Sequence, residues 1–121
     1  MSRGILASII MAVYVSNIVI EKRFDFDTSF QLEDTRTNAP LILSDASTTA
    51  QMRKHYGAST SVSFASTITS PEQGIISISM TANQTVDLKP GRYVYDVKIV
   101  NAGREYKAVE GTALLRGGVT R

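Results

Sequence analysis

The sequence predicts an all-β domain, a β-sandwich of about seven or eight antiparallel strands preceded by an apolar arm. Three observations predict it. Apolar and polar residues alternate strictly in several short segments, turn-forming clusters separate those segments, and no helical period runs longer than one turn. A closed barrel is the structural alternative, since strand count alone does not separate the two.

Along the chain, Val13-Tyr14-Val15-Ser16-Asn17-Ile18-Val19-Ile20 is rich in β-branched residues and reads as a strand. From Phe24 the alternation places Phe24, Phe26, Thr28, Phe30 and Leu32 on one face and Asp25, Asp27, Ser29, Gln31 and Glu33 on the other. The polar stretch from Asp34 to Pro40 is a turn, and Leu41-Ile42-Leu43 is a short apolar piece closed by Ser44-Asp45. Ala46, Thr48, Ala50 and Met52 then alternate against Ser47, Thr49, Gln51 and Arg53. Another strand starts at Val62 and Phe64; Ser70-Pro71-Glu72-Gln73-Gly74 turns the chain; Ile76, Ile78 and Met80 continue it. Thr81 is a capping residue for a single helical turn over Thr81 to Val86. Tyr93, Tyr95, Val97 and Ile99 share a face, Asn101-Ala102-Gly103 is a hairpin connection, and Val109, Gly111, Ala113 and Leu115 line the returning strand.

Composition narrows the chemistry. The 121 residues suffice for one domain with a modest core. With no Cys, no Trp and a single His, disulfides, thiolate metal sites, cysteine nucleophiles and paired-His zinc sites are excluded, and no cofactor or metal is expected. Formal net charge is +2 with bases scattered among acids, which gives no support for nucleic-acid binding. The apolar run from Ile5 to Val15 is too short to span a bilayer as a helix, which needs roughly 20 residues. It also lacks the small-residue cleavage site of a secretory signal, and Met11 is an alternative start to Met1. The expected division is an arm over 1–16, a sandwich over 17–116 and a tail over 117–121.

The run Leu88-Lys89-Pro90-Gly91-Arg92-Tyr93-Val94-Tyr95 resembles the tyrosine corner of immunoglobulin and fibronectin type III sandwiches. The resemblance implies that Leu88, Gly91 and Tyr93 build that corner, with the Tyr93 hydroxyl bonded to backbone a few residues upstream. A wider pattern covers Asn17 to Arg121: Ile18-Val19-Ile20, alternating Phe24 to Leu32, Ala50 to Lys54, Gly91 to Val97, Val109-Glu110-Gly111-Thr112 and the closing Gly118-Val119-Thr120-Arg121. It resembles the immunoglobulin-like domain of tailed-phage baseplate upper proteins and small virion structural proteins of cyanobacterial contractile-tailed phages. That likeness implies a non-enzymatic virion protein, a baseplate or tail-fibre attachment module that forms a homo-oligomer in a symmetric assembly with other virion proteins. A capsid decoration protein is the first alternative. A carbohydrate-binding module is the second, weakened by the lack of Trp and the scattering of Tyr.

The expected partner interface comprises Ile5, Leu6, Ile9, Ile10 and Val13 of the arm, the aromatic residues Tyr14, Tyr56 and Tyr106, and Arg121. Its tail, after Gly117-Gly118, has the flexibility to reach a neighbour. Three other groupings invite a chemical reading. Arg53-Lys54-His55 suggests a phosphate or sugar site, but a solvated strand end is the favoured reading. Asp25 and Asp27 lack calcium-loop spacing. Asp96 and Glu110 are expected to pair with Arg92 or Lys98 across neighbouring strands.

Overall fold

The computed structural model describes residues 14–34, 39–101 and 103–117. Eight strands form one curled, mixed sheet: β1 (Tyr14–Val15), β2 (Ile18–Glu21), β3 (Phe26–Gln31), β4 (Ala46–Arg53), β5 (Val62–Ser70), β6 (Ile75–Met80), β7 (Gly91–Asn101) and β8 (Arg104–Arg116). Their spatial order is β1-β8-β7-β4-β5-β6-β3, with β2 also on β8. The strand β5 makes the curl possible: its first residues pair with β4 and the rest pair with β6.

The expectation of a wholly antiparallel sheet is corrected at the N-terminal end. Both β1 and β2 run parallel to β8, Tyr14 opposite Val109 and Glu21 opposite Arg116. Tyr14 and Val15, within the span assigned by pattern to the arm, therefore form a strand of the sheet. The β-branched run also divides in two, because at Ser16-Asn17 the Asn17 side chain takes over from backbone. Its Oδ1 accepts the Thr112 N–H at 3.1 Å and the Thr112 hydroxyl at 3.0 Å.

Alternation put the core where it lies. Ile76, Ile78 and Met80 from β6, Tyr93, Tyr95, Val97 and Ile99 from β7, and Ala50 and Met52 from β4 are all buried. Phe30 and Leu32 join them from the β3 side, as do Ile18 and Ile20 from β2. Leu41 and Leu43 are buried without forming a strand; the Leu41 N–H donates to the Leu32 carbonyl and the Leu43 N–H to that of Pro71. On β8 the strict alternation breaks. Register slips between Val97 and Lys98, which leaves Ala108 unopposed, and Ala108 and Val109 both point into the core. Such a bulge adds one residue to one strand of a pair.

Phe24 departs from its expected place. Arg23 turns the chain at φ 76°, the Phe24 N–H donates to the Glu21 carbonyl, and Phe24 is left 46% exposed ahead of β3. Asp25 is likewise spent on structure, its carboxylate accepting the Ala82 N–H at 2.8 Å. That amide opens the one-turn helix α1 (Ala82–Thr85). Thr81 caps α1 as expected, in a reciprocal capping box with Gln84. Thr85 is fully buried yet satisfied: its hydroxyl accepts the Arg23 N–H and donates to the Ala82 carbonyl. One buried hydroxyl thus ties the β2–β3 turn to α1.

Candidate interaction surface

Two features of the fold bear on function: the way the N-terminal segment is fastened to β8, and the outward face of β4, β7 and β8.

The fastening is built around a glycine. Gly111 stands opposite Tyr95 in the β7–β8 ladder, and the chain at Ser16 crosses directly over it. A methyl group on Gly111 would lie 2.1 Å from the Ser16 carbonyl oxygen. With hydrogen there instead, that oxygen drops close enough to accept the Tyr95 hydroxyl at 2.6 Å, while the Ser16 N–H donates to the Glu110 carbonyl at 2.9 Å. Tyr95, Gly111 and Asn17 together hold the segment Tyr14–Asn17 on β8.

Burial pushes the Tyr95 phenol above its ordinary value of 10.0. A carbonyl can only accept, so ionisation also costs the hydrogen bond to Ser16. Because the folded-state pKa is the higher one, this contribution is complete below about pH 10 and is lost as pH rises through the folded value. Urea denaturation at about pH 8 and about pH 11 is expected to show a smaller loss of stability for Tyr95→Phe than for the parent chain. Equal losses would remove Tyr95 from the alkaline transition.

On the outward face, Asp96 is the common border of three shallow hollows. The largest, about 180 Å³, is lined by Gln51, Arg53, Tyr56, Val94, Tyr95 and Asp96. The others extend along Lys98 toward Glu105 and Lys107, and toward Thr49 and Gln51. Asp96 lies directly opposite Glu110, a like-charge neighbour that costs stability in a cross-strand pair. The ion pairs differ from those expected. Lys98 bonds Glu105, drawing that carboxyl below its usual range, and Lys107 bonds Glu110 at 3.2 Å. The hydrogen bond to Glu110, with the further negative charge of Asp96, raises Lys107 above its ordinary value. Toward the β1–β2 edge this face turns apolar, with Val15 70% and Val19 47% exposed.

The three expected tyrosines are dispersed. Tyr56 is 74% exposed and borders the largest hollow. Tyr106 is opposite Ile99, so the bulge sets it on the inward side at the far end of the hairpin, half-buried. Tyr14 lies at the sheet edge opposite Val109. Ile5, Leu6, Ile9, Ile10, Val13 and Arg121 fall outside the described residues. Of the basic run, Arg53 donates to the Ala58 carbonyl at 2.7 Å and the Lys54 ammonium sits 5.0 Å from the Tyr93 ring centroid, a cation–π contact. His55 is exposed beside them. Among the described residues no three His, Asp or Glu side chains converge as metal ligands. Pattern reading missed the Ser16–Gly111 contact. The Asn17 and Gly111 it depends on look like ordinary turn or strand residues until the parallel pairing of β2 with β8 is known.

Tyr93 donates its hydroxyl to the Lys89 carbonyl at 2.7 Å, four residues upstream, and Leu88 packs against the core beneath it. Gly91 opens β7. Compared with known proteins, the chain matches no protein-family model and no curated protein.

Proposed function

We propose that this chain is a non-enzymatic structural module of a tailed-phage virion, an immunoglobulin-like sandwich in the baseplate or fibre-attachment region that assembles through its N-terminal arm. Several features support the sandwich reading. Because β5 pairs with β4 through its first residues and with β6 through the rest, the curled sheet can be taken as a β1/β2-β8-β7-β4 layer and a β6-β3 layer that share β5. A one-turn helix precedes β7, and the Tyr93–Lys89 hydrogen bond has the form of a tyrosine corner.

The observation that carries the assembly reading is the fastening at Ser16. The domain spends a glycine, a tyrosine hydroxyl and an asparagine side chain on fixing the chain at Ser16-Asn17, directly after the apolar segment in sequence. A segment rich in Ile, Leu, Met and Val gains by burying itself, and a fixed exit delivers it to a neighbour at a defined place. The outward face around Asp96 and Tyr56 is a second contact surface for other virion proteins.

Deleting residues 1–10 leaves β1, the fastening and every core strand in place. The truncated protein is expected to keep its circular dichroism and thermal transition while losing assembly, read by light scattering coupled to size exclusion. Normal assembly of the truncated chain rejects the arm. Cross-linking mass spectrometry of purified virions tests location: contacts to baseplate or fibre-collar proteins are expected, contacts to the capsid alone transfer the module to head decoration, and absence from particles ends the virion reading.

A further inference from the structure

We infer that the open edge of β3 is the acceptor for the arm of a second copy, residues 5–13 adding to it as a strand. This rests on the assembly reading above and names the surface that reading leaves unassigned.

Among the described residues, the strand β3 pairs with β6 on one side only. The Leu32 N–H points to the Gly74 carbonyl, on the β6 side. Since the N–H and C=O of a given residue in an antiparallel ladder face the same neighbour and alternate along the strand, Asp27, Ser29 and Gln31 direct theirs to the open side. Such a row of unused donors and acceptors is a template for an extended peptide.

The chain has a second sheet edge, at β2, but the two differ in what they leave uncovered. The inward residues of β2 are sealed: Ile18 is 8% exposed and Ile20 0%. On the β3 side Phe24 is 46% exposed, and Phe26 and Thr28 are half-buried although they face inward. An added strand would cover that aromatic margin. The one acidic residue of β3, Asp27, stands on the solvent face, where it does not obstruct the ladder.

The arm suits this edge in pattern. Taken as a strand, one side carries Ile5, Ala7, Ile9, Met11 and Val13, all apolar, and the other carries Leu6, Ser8, Ile10 and Ala12. Geometry makes the donor a second copy. The strand β2 runs toward the short turn that leads into β3, and β3 runs back. Tyr14 lies seven residues before Glu21 in constant register with β8, whereas Gln31 lies five residues past Phe26. At about 3.3 Å per residue the chain enters β1 roughly 7 Å beyond the end of β3. A straight continuation upstream would run away from its own β3. Returning would take a reversal, and Ile9 to Val15 contains no Gly, Pro, Asn or Asp to make one.

The chain has no native cysteine, so engineered pairs report cleanly. In the full chain, Ser8→Cys, on the side of the arm that shares the solvent face, is combined in turn with Asp27→Cys, Ser29→Cys and Gln31→Cys, with Ser8→Cys/Ser59→Cys as control, and oxidised under assembling conditions. At least one β3 pair is expected to give about tenfold more disulfide-linked dimer than the control. Ser29→Pro, which removes an outward N–H and spares the β6 ladder, is expected to abolish assembly with the thermal transition retained. Cross-linking within single chains overturns the second-copy donor. An assembled protein with no β3 cross-link above control overturns this acceptor and leaves the assembly reading standing. A monomeric protein, indifferent to deletion of residues 1–10, overturns both.

Discussion

Replacing Gly111 by Ala is expected to destabilise the domain by about 3 kcal/mol, at the upper end of what overpacking a tight site costs. The new methyl group would lie 2.1 Å from the Ser16 carbonyl oxygen and 2.8 Å from its carbon, and both are backbone atoms that no rotamer change can move. Relief requires the chain at Ser16 to lift off β8. Lifting it breaks the bonds from Tyr95 and from the Ser16 N–H, and pulls Asn17 from Thr112. Tyr95→Phe removes only the hydroxyl from the same contact and is expected to cost about 1 kcal/mol. Urea titration of the two variants gives the comparison, and hydrogen exchange at Ser16, Ile18 and Ile20 shows whether the parallel strands have come away. Equal stability of Gly111→Ala and the parent chain would mean that Ser16 does not sit over Gly111. On the assembly reading, Gly111→Ala also misdirects the arm, so it should impair assembly more than Tyr95→Phe.

How much of this was legible in the sequence depended on how local the determining contact is. The inward rows of β4, β6 and β7 follow from alternation alone, because a half-buried strand must repeat every second residue. Thr81 was legible as a cap because a capping box lies within four residues of chain. By contrast, Ala108 is buried beside Val109 because the β7–β8 register slips, and nothing in Lys107-Ala108-Val109-Glu110 announces a bulge. That slip carries Tyr106 to the inward side, against the reading of it as a surface aromatic. Likewise Ser16, Asn17, Tyr95 and Gly111 meet only because β2 runs parallel to the last strand. Asn17 and Thr112 are separated by 95 positions, beyond the reach of any local pattern. The ion pairs failed for the same reason: with Asp96 opposite Glu110, Lys98 took Glu105 on its own side of the slip and Lys107 reached across the slip to Glu110.

Gly74→Ala is the other substitution expected to cost about 3 kcal/mol or more, by a different route. Gly74 ends the 3-10 turn Pro71–Gln73 at φ 69°, ψ 29°, a left-handed conformation that disfavours any side chain. Its surroundings are closed as well: a methyl group would lie 2.6 Å from the carbonyl oxygens of both Leu32 and Leu41. Those groups belong to the contact that seals this end of the core. The Leu32 N–H donates to the Gly74 carbonyl, the Leu41 N–H to that of Leu32, and both leucines are buried. Pushing them apart opens the core and also frays the C-terminal end of β3, whose open edge is proposed to receive the arm. Gly103, at φ 76° with nothing within 4 Å of its added carbon, separates the two costs. Gly103→Ala pays only for the left-handed backbone, about 1 kcal/mol, and Gly103→Asn recovers part of it. Gly74→Asn should recover nothing, because the obstruction is at Cβ. Urea midpoints of the four variants decide the matter. If Gly74→Asn is as stable as Gly103→Asn, the Leu32–Gly74–Leu41 contact is looser than described, and β3 is anchored by its ladder with β6 alone.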